Sequence, residues 1–146
     1  TDWCLEGWYR VADKGTQPNY GLATFMSPPA GRNAALYLSD REAGILSTDG
    51  SNHQVLKSAP LDTTDRFHWY RLVHIGGAAG SLFLEVDGKE VIRLPYSELL
   101  TRDHPAANIL FGPNASNQEG RMHVAKFGYR IGSVEPLFGP VREQNQ

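Results

Sequence analysis

Short runs in which apolar and polar residues alternate make up most of the chain. A period of two places successive side chains on opposite faces of a strand, and no stretch keeps the 3.6-residue apolar period of a long helix. Fifteen glycines and nine prolines separate the runs. This pattern predicts about ten short strands and an all-β sandwich of two antiparallel sheets. The predicted strands are residues 4–13, 21–27, 33–40, 43–49, 53–59, 67–76, 81–88, 89–95, 108–113 and 122–134.

Two of these strands support more detailed predictions. In the first, Leu5 and Tyr9 share one face, whereas Glu6, Trp8 and Arg10 share the other. The closing strand, residues 123–131, is long and rich in aromatic side chains, and we expect it to pair with the first strand.

A single helix is predicted, over residues 96–104. Ser97 is its expected N-terminal cap, and Leu99 and Leu100 are expected to pack inward.

The length and composition favour one globular domain. We expect the sandwich to occupy residues 1–140 and a polar tail to follow at 141–146. Fourteen basic residues oppose sixteen acidic ones, so nucleic acid is not an expected partner. No apolar run approaches the roughly 18 residues of a membrane span, and membrane insertion is not expected. The chain begins Thr-Asp-Trp-Cys without a signal peptide, which favours a module of a larger polypeptide, and we also consider an oligomer.

The stretch SLFLEVDGKEVIRL, residues 81–94, allows two interpretations. Glu85, Asp87 and Glu90 have the composition of a catalytic carboxylate set, as a glycoside hydrolase or lyase would need. Asp87-Gly88 between two alternating runs is, however, a strong hairpin signal. We predict the hairpin, which places Glu85 and Glu90 on opposing strands. Because Val91 and Ile92 are both apolar, the return strand is expected to have two buried faces or a bulge.

A family resemblance centres on the same region. Residues 67–72, Phe-His-Trp-Tyr-Arg-Leu, followed by a glycine loop and then 82–91, resemble the concanavalin A-like lectin/glucanase superfamily, including laminin G-like domains and laminarinase-type hydrolases. Residues 109–112 and 120–129 are similar to the closing strands of such domains. The clear resemblance covers residues 67–91, and a looser one runs from 5 to 134. It implies a jelly-roll sandwich with one concave sheet.

The resemblance also bears on catalysis. In the hydrolases of this superfamily the acid cluster lies on a strand well upstream of the Val-Asp-Gly hairpin. Here the upstream stretch offers Asp40-Arg41-Glu42, which lacks a third carboxylate. The resemblance therefore favours the non-catalytic binding branch.

Aromatic and cationic side chains on a common strand face are the candidate ligand-binding residues: Trp8, Arg10, Trp69 and Arg71. An indole covers the apolar face of a sugar ring while a guanidinium bonds its hydroxyls. We therefore predict a lectin-like module that binds carbohydrate or a glycoprotein at the extracellular surface, the cell surface or the periplasm. The alternatives are the hydrolase above and a structural or interaction domain without a small ligand.

Metal binding has one candidate. Asp49 and Asn52 flank a loop of oxygen-bearing side chains of the kind that binds calcium, although an ordinary turn also explains these residues. No other cofactor is expected. His68 and His74 share a strand face but stand about 20 Å apart at the rise of an extended strand, which excludes a shared metal ion.

Overall fold

Twelve strands form in the residues that the computed structural model describes, which are 1–13, 22–27, 31–49, 53–102, 108–113 and 121–138. The predicted tail, residues 141–146, lies outside this part. The strands are β1 (Trp3–Asp13), β2 (Leu22–Ser27), β3 (Gly31–Arg32), β4 (Ala34–Leu38), β5 (Glu42–Thr48), β6 (His53–Pro60), β7 (His68–Ile75), β8 (Ser81–Val86), β9 (Lys89–Pro95), β10 (Thr101–Arg102), β11 (Asn108–Pro113) and β12 (Arg121–Ile131).

Ten of the strands build two five-stranded antiparallel sheets. The first sheet has the order β12-β1-β7-β8-β9, and the second has the order β11-β2-β4-β5-β6. β3 and β10 pair separately. The predicted all-β sandwich is confirmed, and so is the pairing of the closing strand with the first strand. The predicted concavity of one sheet stays a prediction.

Alternating apolar side chains form the core between the sheets. The first sheet contributes Leu5 and Tyr9 from β1 and Tyr70 from β7, and the second contributes Leu36 and Ile45. Each large side chain buried here stabilises the fold by about 1.5–3 kcal/mol relative to an exposed one. The period-two pattern therefore identified the inward face of β1 correctly.

The stretch at residues 85–90 forms the predicted hairpin. Asp87 has φ 53° and Gly88 has φ 86°, so both central residues adopt the left-handed conformation of a type I′ turn. Across the turn Glu85 pairs with Glu90, whereas Leu84 pairs with Ile92. Val91 is thus the extra residue of a bulge, which turns it to solvent while Ile92 stays buried.

The predicted helix is wrong. Over the described part of 96–104, only Tyr96–Glu98 forms a single 3₁₀ turn, and Leu99 is already extended with ψ 147°. Ser97 does not cap this turn, because Pro95 occupies the cap position. Leu99 does pack inward, as expected.

No helix of the described residues is long and apolar enough to span a membrane.

A buried asparagine explains why the helix does not continue. The Asn33 side chain donates from Nδ2 to the carbonyls of Thr48 and Leu100 and accepts from the Thr48 amide at 2.9 Å. Ser47 Oγ accepts from the Leu100 amide at 2.9 Å and donates to the Asn33 carbonyl at 2.7 Å. These bonds hold Leu100 beside Asn33 and Ser47 of β5. Thr101–Arg102 then pairs with Gly31–Arg32. Buried polar groups satisfied in this way specify one arrangement of the chain.

The first prediction concerns this network. Replacing Asn33 with Ala leaves the Thr48 amide and the Leu100 carbonyl with fewer partners, so the free energy of unfolding should fall by about 3 kcal/mol. Urea denaturation measures the change. Gln54→Ala, at an exposed position of β6, is the matched control and should change little. A loss below about 1 kcal/mol in Asn33→Ala would contradict the assigned role of the network.

Candidate functional site

The four predicted ligand-binding residues lie on the outward face of the first sheet. Trp8 of β1 pairs directly with Trp69 of β7, and their rings stack with centroids 6.2 Å apart and planes 9° apart. Arg71 lies two residues from Trp69, on the same face of β7. Arg10 lies two residues beyond Trp8, with its guanidinium carbon 5.8 Å from the centre of the Phe67 ring.

The four residues differ in their access to solvent. Trp8 is only 3% exposed and Arg71 only 7%, whereas Trp69 and Arg10 are half-buried. The face is therefore closed around Arg71 and open towards Trp69 and Arg10.

Residues 133–138, called the covering segment below, close the part around Arg71. Arg71 donates to the carbonyl of Val134. A Cβ atom on Gly128 of β12 would lie 2.9 Å from Leu137 Cδ1, so the segment packs closely on the sheet at this glycine. The register that pairs Gly128 with Glu6 could not be read from the sequence alone.

Glu6 joins these parts, although no motif in the sequence marks it as a site residue. Its side chain has no exposed surface. The carboxylate accepts four hydrogen bonds: from Trp69 Nε1 at 2.8 Å, Arg71 Nε at 3.1 Å, and the amides of Leu137 at 2.9 Å and Phe138 at 2.7 Å. The only signal in the sequence was the position of Glu6 on the same strand face as Trp8 and Arg10.

Arg71 stands between two carboxylates. Its Nη1 lies 2.6 Å from Glu85 Oε1, and its Nε contacts Glu6. Because both carboxylates and the Val134 carbonyl engage this guanidinium, Arg71 organises the closed part of the face.

The three acids of residues 85–90 have separate cationic partners. Glu85 pairs with Arg71, and Glu90 pairs with Arg93 at 2.6 Å. Asp87 accepts from Arg66, from His68 and from the Trp69 amide. These contacts give each carboxylate a structural role.

Asp40 and Glu42, the acids upstream of the hairpin, also have partners of their own. Glu42 accepts from Tyr37 at 3.4 Å and from Ser58 at 2.9 Å. Asp40 lies 3.8 Å from Arg41. The described contacts thus provide no observation that favours the hydrolase alternative.

His68 forms a buried clamp with two aspartates. Nδ1 lies 2.7 Å from Asp87, and Nε2 lies 2.8 Å from Asp65 and 2.9 Å from the Asp62 carbonyl. Both ring nitrogens face acceptors only, so the doubly protonated imidazolium satisfies the site best. The clamp ties the loop before β7 to the β8–β9 hairpin.

The pKa values of the clamp follow from this geometry. Burial by itself lowers the pKa of His68, but the hydrogen bonds to Asp87 and Asp65 outweigh it and raise that pKa above its usual value. Burial by itself raises the pKa of Asp87, but the bonds from His68 and the Trp69 amide lower it overall.

His74 lies apart from the clamp, bonded to the Gly77 carbonyl at 2.8 Å and stacked on Tyr96.

No group of three or more His, Cys, Asp or Glu side chains in the described residues could hold a metal ion. Asp49 is exposed, and Asn52 lies outside the described residues. Calcium binding by these two residues stays a prediction.

Comparisons with known proteins support the fold and go no further. No profile of a known protein family matches the chain, and no curated protein matches it. Among solved structures, the chain is similar to the botulinum neurotoxin serotype D binding domain, with 14% identity and a TM-score of 0.54 over 88% of this chain and 32% of that one. It is similar to a second structure, the receptor binding domain of botulinum neurotoxin D, at 14% identity and TM-score 0.54 over 88% of this chain and 33% of that one. The chain thus spans about a third of the length of these domains, and the likeness supports the sandwich fold.

The second prediction concerns the Glu6 carboxylate. Glu6→Gln removes the charge that faces buried Arg71, and breaking one side of a buried ion pair typically costs about 3–5 kcal/mol of unfolding free energy. Hydrogen exchange at the amides of Leu137 and Phe138 should accelerate at the same time. Glu98→Gln, at an exposed position, is the control. Unchanged exchange at these two amides would contradict the role of Glu6 in holding the covering segment.

The third prediction concerns the pH dependence of the clamp. The raised pKa of His68 stabilises the fold at pH below about 6.5, and this contribution is lost as pH rises through the folded-state pKa. The lowered pKa of Asp87 stabilises the fold above about pH 4, and this contribution is lost as pH falls. The unfolding free energy of wild type minus that of His68→Asn should therefore be largest between about pH 4 and 6.5.

Urea denaturation across a pH series measures this difference, because groups shared by both proteins cancel. His123→Asn, at an exposed histidine of β12, is the control. A difference between wild type and His68→Asn that does not vary with pH would show that the clamp does not carry an imidazolium.

Proposed function

We propose that this domain is a non-catalytic binding module whose ligand is carbohydrate, bound at the open part of the outward face. The observation that carries the proposal is that the half-buried Trp69 ring and half-buried Arg10 share the outward face, with Trp69 opposite Trp8 and Arg10 two residues beyond Trp8. A flat apolar ring on the same face as a guanidinium suits a sugar ring with its hydroxyls.

Trp69 is held in one orientation, which favours its use as a binding platform. It stacks on Trp8, and its Nε1 donates to Glu6 at 2.8 Å. The β8–β9 turn borders the ring, since a Cβ on Gly88 would lie 3.9 Å from Trp69 Cζ3. A side chain that is ordered before binding loses little conformational entropy on contact with its ligand.

The four residues predicted from the sequence receive different roles in this proposal. Trp69 and Arg10 contact the sugar, and Trp8 supports Trp69 from the side. Arg71 acts as a positioning residue, because Glu6 and Glu85 engage its guanidinium.

The biological setting is part of the same proposal. The two similar crystal structures are a binding domain and a receptor binding domain, which agrees with a binding role for a related fold. Since the chain spans about a third of their length, we propose that it acts as a module of a larger polypeptide. The resemblance to lectin and laminin G-like domains supports an extracellular, cell-surface or periplasmic location.

The fourth prediction tests the sugar-binding surface. A glycan array should show specific binding by the wild-type protein and at least about tenfold weaker binding by Trp69→Ala and by Arg10→Met, because each substitution removes one contact. Phe83→Ala is the matched control, since Phe83 is a half-buried aromatic on the same face under Arg93. Thermal melting checks that every variant is folded. Failure of the wild type to bind any glycan, or unchanged binding by both site variants, would overturn the proposal.

A further inference from the structure

Cationic side chains flank the stacked tryptophans on the open part of the outward face. Between β1 and β12, Arg10 pairs with His123 and Trp8 pairs with Lys126. On its other side Trp8 pairs with Trp69 of β7. Directly paired residues of antiparallel strands point to the same face of the sheet. These pairs therefore place an arginine, a lysine and a histidine around the two indoles, and no acidic residue is among them.

Arg10 lies within reach of the other groups of this surface. It is two residues beyond Trp8, so it is the diagonal neighbour both of Trp69 on one side and of Lys126 on the other. Diagonal neighbours on paired strands lie about 7–8 Å apart, a distance that long side chains can span. One ligand can therefore contact the Trp69 ring and both cations at once.

Both cations lie against aromatic rings. The Arg10 guanidinium carbon is 5.8 Å from the centre of the Phe67 ring, and Lys126 Nζ is 5.7 Å from the centre of the Phe138 ring. A ring face attracts a cation but carries no net charge, so it leaves the positive charge uncancelled. Lys126 is exposed and Arg10 is half-buried. A ligand on the open part of the face can therefore reach both.

The neighbouring carboxylates are engaged by other cations. Glu85 lies 2.6 Å from Arg71, and Asp87 lies 3.1 Å from Arg66. Among the described residues, no carboxylate lies within ion-pair distance of Arg10 or Lys126. The charges of these two side chains are thus left for a partner that the described chain does not supply.

The closed part of the face carries one negative charge in excess, because Arg71 stands between the carboxylates of Glu6 and Glu85. Arg10 lies four residues from Glu6 along β1, which is about 13 Å at the rise of an extended strand. Coulomb energy falls with distance, and salt screens a long separation more than a contact. An anion bound at Arg10 therefore gains more from the contact than it loses to this excess.

The positive character of this surface is local. The whole chain has a formal net charge of −2 at pH 7, so its overall charge does not favour anions. Selection of an anion would have to come from the placement of Arg10 and Lys126.

We infer that the carbohydrate bound at the open part of the outward face is anionic, with a carboxylate or sulfate group that contacts Arg10 and Lys126 while a sugar ring covers Trp69. Hydrogen bonds between a cation and an anionic oxygen are shorter and stronger than those to a neutral hydroxyl. The inference rests on the proposed function, because it names the class of sugar that the same surface takes.

The test compares charged glycans with uncharged counterparts on one array. Each uronic acid glycan is presented beside the form whose carboxylate has been reduced to an alcohol, and each sulfated glycan beside its desulfated form. We expect the wild-type protein to bind the charged member at least about tenfold more tightly in one of these two kinds of pair. The kind of pair identifies the group as carboxylate or sulfate. Added salt should reduce the ratio of charged to uncharged binding.

Single substitutions locate the charge that makes the distinction. Lys126→Gln should lower the ratio of charged to uncharged binding by about threefold, as the loss of one exposed ion pair does, and Lys126→Arg should keep it. Arg41→Gln is the matched control, because it removes the same charge from an 85% exposed side chain just before β5 of the second sheet. Thermal melting checks that each variant is folded.

The outcomes separate this inference from the proposed function. Equal binding of the two members of every pair would overturn the inference and leave sugar binding in place. A ratio that Lys126→Gln leaves unchanged, or that Arg41→Gln lowers equally, would overturn it too. A wild-type protein that binds no glycan of either kind would instead overturn the proposed function, and this inference with it.

Discussion

The arrangement of the outward face of the first sheet depends on the hydrogen bonds that the buried Glu6 carboxylate accepts. Taking a charge out of water is costly unless hydrogen bonds and an opposite charge compensate. Four N–H donors provide the hydrogen bonds, and one of them, Arg71 Nε, also brings the opposite charge. As a result, one side chain joins β1 to β7, orients the Trp69 ring and holds the covering segment against the sheet.

The same principle operates at two other places in the sandwich. Asn33 satisfies the backbone of β5 and of Leu100, and so converts a segment with helical composition into a short strand. His68 bridges Asp65 and Asp87, and so joins a loop to a hairpin. In each case the core supplies most of the favourable free energy through apolar burial, whereas the polar group selects one arrangement of the surrounding chain.

The outward face of the first sheet shows how a short segment that covers part of a sheet shapes the part left open. Residues 133–138 shield Arg71 and leave the Trp69 ring half-buried, which confines the proposed sugar surface to one part of the face. The same segment also contacts Lys126 and Arg130 of β12. A single short segment therefore shapes the surface to which we assign sugar binding.

The sequence by itself determined the ten strands of the two large sheets, though not β3 and β10, and also the inward face of β1 and the Asp87-Gly88 hairpin. These depend on local rules: a period of two, and a turn that needs two positive φ angles. Only the tertiary structure decided that Glu6 and Glu85 meet Arg71, that Asp87 meets His68, and that the residues after Glu98 extend. These outcomes arise from strand register and from partners 14 to 67 residues apart along the chain, which no local pattern encodes. The burial of Arg71 likewise depends on a segment 63 residues away along the chain, and composition carries no information about that.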